Sequence, residues 1–405
     1  MKSLIEQYFA KNYFIICPRT SSYGGLSDSL MFGYKIAKFY NKKILLAVPL
    51  FNVHGKHIKK KIFGLKLISI LFLKELDLKS KIFSLTISIF LNFNLLLKKI
   101  LILDILKVVI KNSVVENIFP LKLGFTTVEI FQNNINHNDW EKIFNKKNYE
   151  YFEKTNNSNI ISFYVKDKNY DQISEISKSA IADIENYRDG LSFLIKKNYK
   201  IRRIGDQLSE KFNFDHENYK DLTIEKKKFE FKQYETLNNC IYYFGCGSAQ
   251  SSYASFFNKK RVITNLDFIN ITHPGDFFFK TDLLLFKKIY FKPLKKIISF
   301  EKLFSLDNQT LNDSKNFDYI ENDKDEILKT IIEFETNLNR ITLSEKQISF
   351  NKETKSFFKK NFKKKNIYNI FFNSNFILPN FFLEKYQYEN ILLDEENRKF
   401  DMKNL

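Results

Sequence analysis

A chain of 405 residues with 44% hydrophobic and 16% aromatic content exceeds what one core of about 250 residues organises, which predicts two domains. A charged fraction of 27% with both signs mixed excludes a disordered polar chain, and 11 glycines with 6 prolines exclude collagen-like or Gly/Pro-rich repeats. The formal charge of +19 points toward nucleic acid or an anionic surface, but only seven of the 65 basic residues are arginine, so lysine fills solvated faces by default and a minority forms a working patch.

The N-terminal segment has no small-residue cleavage site after its interrupted apolar run and does not read as a signal peptide. Tyr13 to Cys17 (YFIIC) reads as a strand closed by Pro18. The turn-rich Arg19 to Gly25 follows, then Leu30 to Tyr40 at helical spacing and Lys43 to Val48 (KILLAV) as a second strand, so the chain opens as a β-α-β unit of parallel type. Helical material is expected over Lys61 to Lys111. Its longest uncharged run, Ile82 to Leu97, contains Ser84, Thr86, Ser88, Asn92 and Asn94, too polar and too short to span a bilayer. With lysines at 79, 81, 98 and 99 it fits either a helix lying on an anionic membrane surface or helices buried in the protein.

A polar stretch at Glu153 to Asn159 marks the domain boundary, and the alternation restarts after it. Strands are predicted at Ile160 to Val165, Lys200 to Ile204, Cys240 to Phe244 and Arg261 to Thr264, with helices at Ala182 to Lys197 and Gln250 to Asn258. Short strands alternating with helices predict a second parallel, Rossmann-like layer structure. Beyond Phe300 the chain is more polar, with a helix expected at Lys324 to Leu338 and a lysine-rich segment at Lys352 to Lys365. The expected domains are 1–155, with 61–111 as a helical insertion, then 156–310, then a helical C-terminal tail over 311–405.

Glycine is scarce, and six of the eleven sit at Gly24, Gly25, Gly33, Gly205, Gly245 and Gly247, in or beside strand-to-helix loops where open parallel sheets bind ligands. In FGCGSAQSS, Gly245 and Gly247 allow close backbone approach, while Ser248, Ser251 or Ser252 can open a helix whose first amides attract phosphate. An ordinary tight turn with a capped helix is the alternative. The loop Ser21 to Asp28 (SSYGGLSD) matches neither a dinucleotide fingerprint nor a P-loop. Its Asp28 is either a general base on an acceptor hydroxyl or the helix cap. Arg202, Arg203 and Asp206 close the strand KIRRIGD. Strand alternation sends the two arginines to opposite faces, and Arg203 is assigned to a pyrophosphate.

The histidines at 54, 57, 137, 216 and 273 form no compact ligand set, Val165 to Lys168 offers one carboxylate between two lysines, and no metal or other cofactor is expected. Cys17, Cys240 and Cys246 fit neither a disulfide framework nor a zinc site, which indicates a reducing compartment. Cys246 is close to a helix start, but no histidine accompanies it as a nucleophile's partner. No helix-turn-helix or aromatic-and-basic RNA motif is present, so no nucleic-acid partner is expected.

The order of several stretches resembles a family of bacterial glycosyltransferases of surface-polysaccharide synthesis, fucosyltransferase-like in architecture: IISFYVKD at Ile160 to Asp167, DIENYRDGLSFLIKKNYKIRRIGD at Asp183 to Asp206, and YYFGCGSAQSSYASFFNKKRVITN at Tyr242 to Asn265. DLLLFKK at Asp282 to Lys288, ISFEKL at Ile298 to Leu303, DEILKTIIEF and FFLEKY at Phe381 to Tyr386 extend it over most of the chain from about residue 160. The resemblance implies a GT-B fold, two Rossmann-like domains facing across a cleft, and metal-independent transfer of a sugar from a nucleotide diphosphate to a glycan hydroxyl. The acceptor is then a lipid-linked glycan of surface polysaccharide or lipopolysaccharide, met at the cytoplasmic face of the membrane by a cytoplasmic, peripheral protein. By position it assigns Lys166, Arg203, Asp206, Gly245, Gly247, Ser248, Ser251, Ser252 and Lys287 or Lys288 to the donor, and Tyr23, Gly24 and Gly25 to an acceptor-side loop. The family tends to have a His-x-Arg-Asp-like run where this chain has Tyr164, Val165, Lys166 and Asp167, and often a histidine at Gly25. Such changes also fit a non-catalytic nucleotide-sugar or glycan-binding protein derived from such an enzyme.

Overall fold

The computed structural model describes residues 12–16, 37, 41–48, 76–101, 159–169, 181–205, 209–225, 229–257, 259–266, 282–298, 315–337, 343–352 and 377–384. The chain divides into two compact units, Met1–Phe152 and Glu153–Leu405.

In the first unit, strands β1 (Tyr13–Ile16) and β2 (Lys43–Leu46) pair in parallel, Tyr13 opposite Lys43. Both are short apolar runs, and Leu45, Leu46 and Ala47 are buried. Helix α1 (Leu78–Leu101) opens at Asp77, whose carboxylate accepts from Ser80 N–H at 2.7 Å and meets the Lys43 ammonium at 2.6 Å. No described helix is long and apolar enough to cross a membrane. The helix expected at 30–40 and the loop before it lie outside the described residues, except Ala37.

The second unit is α/β, built on a six-stranded parallel sheet. Its strands are β3 (Ile160–Tyr164), β4 (Lys200–Arg203), β5 (Tyr219–Asp221), β6 (Tyr242–Cys246), β7 (Lys260–Leu266) and β8 (Leu283–Phe286), in the order β5-β4-β3-β6-β7-β8. The chain therefore builds outward from β3 in one direction, returns, and builds outward from β6 in the other. The reversal falls between β3 and β6, and open sheets of this kind hold ligands at the carboxyl ends of the strands on either side of it.

Strand β3 is IISFY, buried on both faces as a central parallel strand must be. Asp183 caps a 3-10 turn (Ile184–Tyr187) by accepting from Glu185 N–H, and α2 (Arg188–Lys196) continues with Leu191, Leu194 and Ile195 turned inward. Helix α3 (Phe229–Asn239) leads into β6, and α4 (Ala249–Phe256) connects β6 to β7. Helix α5 (Lys324–Asn337) packs beside α2 and sends Ile327, Ile331 and Phe334 into the same core as Phe163, Tyr187 and Phe244. Those last three rings lie 5.4 to 5.8 Å apart, between centroids, under the end of the sheet.

The segment expected as a helical tail from residue 311 holds a strand as well as helix α5. Strand β11 (Phe317–Ile320) pairs antiparallel with β9 (Lys288–Phe291), which also holds β10 (Lys296–Ile297), and α5 closes the main core. Farther on, Ile377 bridges Leu283 in parallel and its carbonyl accepts from Leu284 N–H, which covers edge strand β8. Glu333 of α5 anchors that segment by accepting from the Asn380 backbone and side-chain amides at 2.9 and 3.0 Å.

Candidate functional site

Three groups of residues lie at the carboxyl end of the sheet, around the point where the strand order reverses. The first is the loop after β6. Gly245 has φ +146, and a Cβ there would stand 1.9 Å from the Tyr164 carbonyl oxygen, so only glycine lets β6 pass this close to the end of β3. A Cβ on Gly247 would meet the Leu266 Cδ1 at 2.5 Å, a flexible tip rather than backbone. Ser248 then opens α4 with a capping box: Gln250 N–H donates to its hydroxyl, and Ser248 N–H donates to the Ser251 hydroxyl at 3.0 Å. Ser251 and Ser252 are buried, and both hydroxyls donate to the Ser248 carbonyl, at 2.7 and 3.4 Å. Of the two readings of this motif, the serines realise the helix cap, and the glycines realise close backbone packing.

The second group is an ion cluster joining the ends of β3, β4 and β5. Arg203, expected at a pyrophosphate, has its side chain 1% exposed between Asp221 (2.9 Å) and Asp167 (3.3 Å). The lone carboxylate after β3 is thus occupied. Asp167 also accepts from Glu210 N–H at 2.8 Å and Asn169 N–H at 3.0 Å, and Asp221 accepts from the Thr223 backbone and hydroxyl. Burial pushes the Asp167 carboxyl above its usual range, opposed by those two amides and by Arg203. Arg203 positions the loops at this end of the sheet; with both terminal nitrogens engaged, it does not present a fork to a ligand. Arg202 is half-buried and donates to the Ile201 and Asn218 carbonyls, so the opposite facing of the two arginines holds. Gln233 of α3, a residue with no sequence signal, clasps Gly205 by accepting from its N–H (3.1 Å) and donating to its carbonyl (2.9 Å).

The third group surrounds Cys246. Its thiol lies 3.2 Å from the Tyr187 hydroxyl, which also contacts the Thr264 hydroxyl (2.7 Å) and receives Asn265 Nδ2 (3.1 Å). The Lys166 backbone N–H and the Lys287 charge both act to hold the pKa of this thiol down, against its burial. Lys287 is buried and donates to the Ile181 carbonyl; Lys288 pairs with Glu326 at 2.8 Å. Asn265, at φ 48, exchanges hydrogen bonds with Asn322, which fixes the end of β7 against the start of α5.

Burial still wins at both described cysteines: it raises the Cys246 thiol and pushes Cys240 up to about 12. Both are expected to resist iodoacetamide at pH 8 in the native protein. Intact-mass analysis should show no more than the Cys17 adduct before urea is added and all three adducts after; native labelling of Cys246 would mean that the site is open to reagent.

Lys166, Gly245, Gly247, Ser248 and Lys287 thus all fall at the carboxyl end of the parallel sheet, as does Arg203 at the end of β4. Asp28, Tyr23, Gly24, Gly25 and Asp206 lie outside the described residues. Among the described residues no group of three or more His, Cys, Asp or Glu side chains is arranged to hold a metal ion. No family model, no curated protein and no solved structure matches the chain.

Proposed function

We propose that the chain is a glycosyltransferase that moves a sugar from a nucleotide-diphosphate donor to a hydroxyl of a lipid-linked glycan, with the two units forming a GT-B pair and the second holding the donor. The observation that carries this is the placement of the Gly245–Gly247 loop at the reversal of strand order, at the same end of the sheet as Lys166 after β3 and Lys287 after β8. Compensation of the charge that builds on a departing diphosphate is assigned to Lys166 and to the start of α4 rather than to a metal. Asp28 is assigned as the base on the acceptor hydroxyl, and Tyr23 to Gly25 as its loop. The working location is cytoplasmic, on the inner face of the membrane, with no nucleic-acid partner.

A second reading, a non-catalytic nucleotide-sugar-binding protein, is favoured by the locking of Arg203 between two carboxylates, which removes the strongest anion fork from the site. A thermal-shift screen with GDP, UDP, CMP, ADP and dTDP, each with and without EDTA, tests the shared claim. One nucleotide should raise the melting temperature by several degrees, independently of EDTA and less in Lys166→Gln; stabilisation by none of them overturns both readings. Release of that nucleotide from its sugar donor when a glycolipid acceptor is added then selects the enzyme.

A further inference from the structure

Helix α1 is amphipathic in the opposite sense to a core helix. Its polar stripe faces the protein: Leu46 and Val48 N–H donate to the Ser84 and Ser88 hydroxyls at 2.9 Å, and Asn92 donates to the Val48 carbonyl at 2.8 Å. These side chains, at i, i+4 and i+8, satisfy the backbone at the end of β2. The other face carries Leu78, Ile82, Leu85, Ile89 and Phe93, each 55 to 75% exposed. Their spacing of four, three, four and four residues keeps them on one stripe about four turns long.

Exposed lysines flank that stripe. At about 100° per residue, Lys79 and Lys81 fall on its two sides, and the Lys79 ammonium lies 5.7 Å from the Phe83 ring centroid. An apolar strip bordered on both sides by ammonium groups, in a chain of charge +19, complements a surface that is apolar below and anionic at its rim.

We propose that this face of α1 docks the protein on an anionic membrane, the helix lying in the plane of the interface with Leu78, Ile82, Leu85, Ile89 and Phe93 below the headgroups and Lys79 and Lys81 among the phosphates. The hydrogen bonds to β2 fix the rotation of the helix, so the stripe is presented without any rearrangement. The proposal rests on the first unit alone; its failure leaves the donor site of the second unit untouched.

Co-sedimentation of the full chain with vesicles of phosphatidylcholine, alone or mixed with phosphatidylglycerol, tests it at low and moderate salt. Binding should require phosphatidylglycerol and weaken with salt. The triple variant Leu85→Gln/Ile89→Gln/Phe93→Gln should lose at least about tenfold in affinity while unfolding at the same urea concentration, since all three side chains are already exposed. Lys79→Gln/Lys81→Gln should lose about tenfold with the stripe intact. The proposal is overturned by absence of binding to phosphatidylglycerol vesicles or by equal binding of the triple variant. A dimer in sedimentation equilibrium that the triple variant dissociates would also overturn it, by giving the stripe to a second copy.

Discussion

Gly245→Ala is expected to destabilise the second unit by more than about 4 kcal/mol, enough to prevent its accumulation as folded protein. The added methyl would stand 1.9 Å from the Tyr164 carbonyl oxygen and 2.8 Å from its carbon, at φ +146, a conformation that side-chain-bearing residues rarely adopt. No rotamer change relieves it, because both partners are backbone in adjacent strands whose register pairs Tyr164 with Gly245. Gly247→Ala is the informative control. Its methyl meets the tip of the Leu266 side chain, which can turn away, so the cost should stay at about 1–3 kcal/mol. Urea unfolding of the two variants should separate them clearly, and equal costs would mean that β3 and β6 do not approach as described.

Arg203→Ala should cost about 3–5 kcal/mol, because it leaves Asp167 and Asp221 facing one another with no cation in a site closed to water. Arg203→Lys keeps the charge but replaces a fork that reaches two carboxylates by a single ammonium, so it should recover only part of the loss. Asp167→Asn combined with Arg203→Met should be less damaging than Arg203→Ala alone, since both buried charges of that pair go together. Arg203→Ala within about 1 kcal/mol of wild type in urea unfolding would show that the cluster is solvated.

The alternating half of the fold was legible because its signals are local. The strand at 160 is a short apolar run bounded by polar residues, those at 200 (KIRR) and 260 (KRVITNL) carry charge but follow closely on helical patterns, and Lys324–Asn337 has one apolar face. Strand β6 was read two residues early: Cys240 N–H still bonds to the Thr236 carbonyl at the end of α3, while Gly245 and Cys246 continue the ladder opposite Ile263 and Thr264. Strand β5 and helix α3 have no counterpart among the predicted elements, because tertiary contacts hold them, pairing of Tyr219–Asp221 with β4 and the Gln233 clasp on Gly205.

The site was legible in position more than in role. Scarcity of arginine marked Arg203 as special, and it is one of the two largest fully buried side chains, Arg261 being the other, paired with Asp282 at 2.5 Å. Its partners are 36 and 18 residues away, and nothing local signals a carboxylate that must be neutralised across strands. Both arginines occupy positions where a lysine could not bridge two groups at once, which explains arginine in a chain that otherwise uses lysine. The serine run carried two readings, and only geometry decides that hydroxyls at 248 and 251 close a capping box.

Binding of a nucleoside diphosphate where the strand order reverses is the central claim. Hydrogen–deuterium exchange of the full chain, with and without the nucleotide that stabilises it most, reads this directly. Slower exchange in peptides covering residues 164–168 and 245–252, with other strands of the sheet unchanged, is the predicted result. Protection that falls elsewhere, or none at saturating nucleotide, would contradict the assignment.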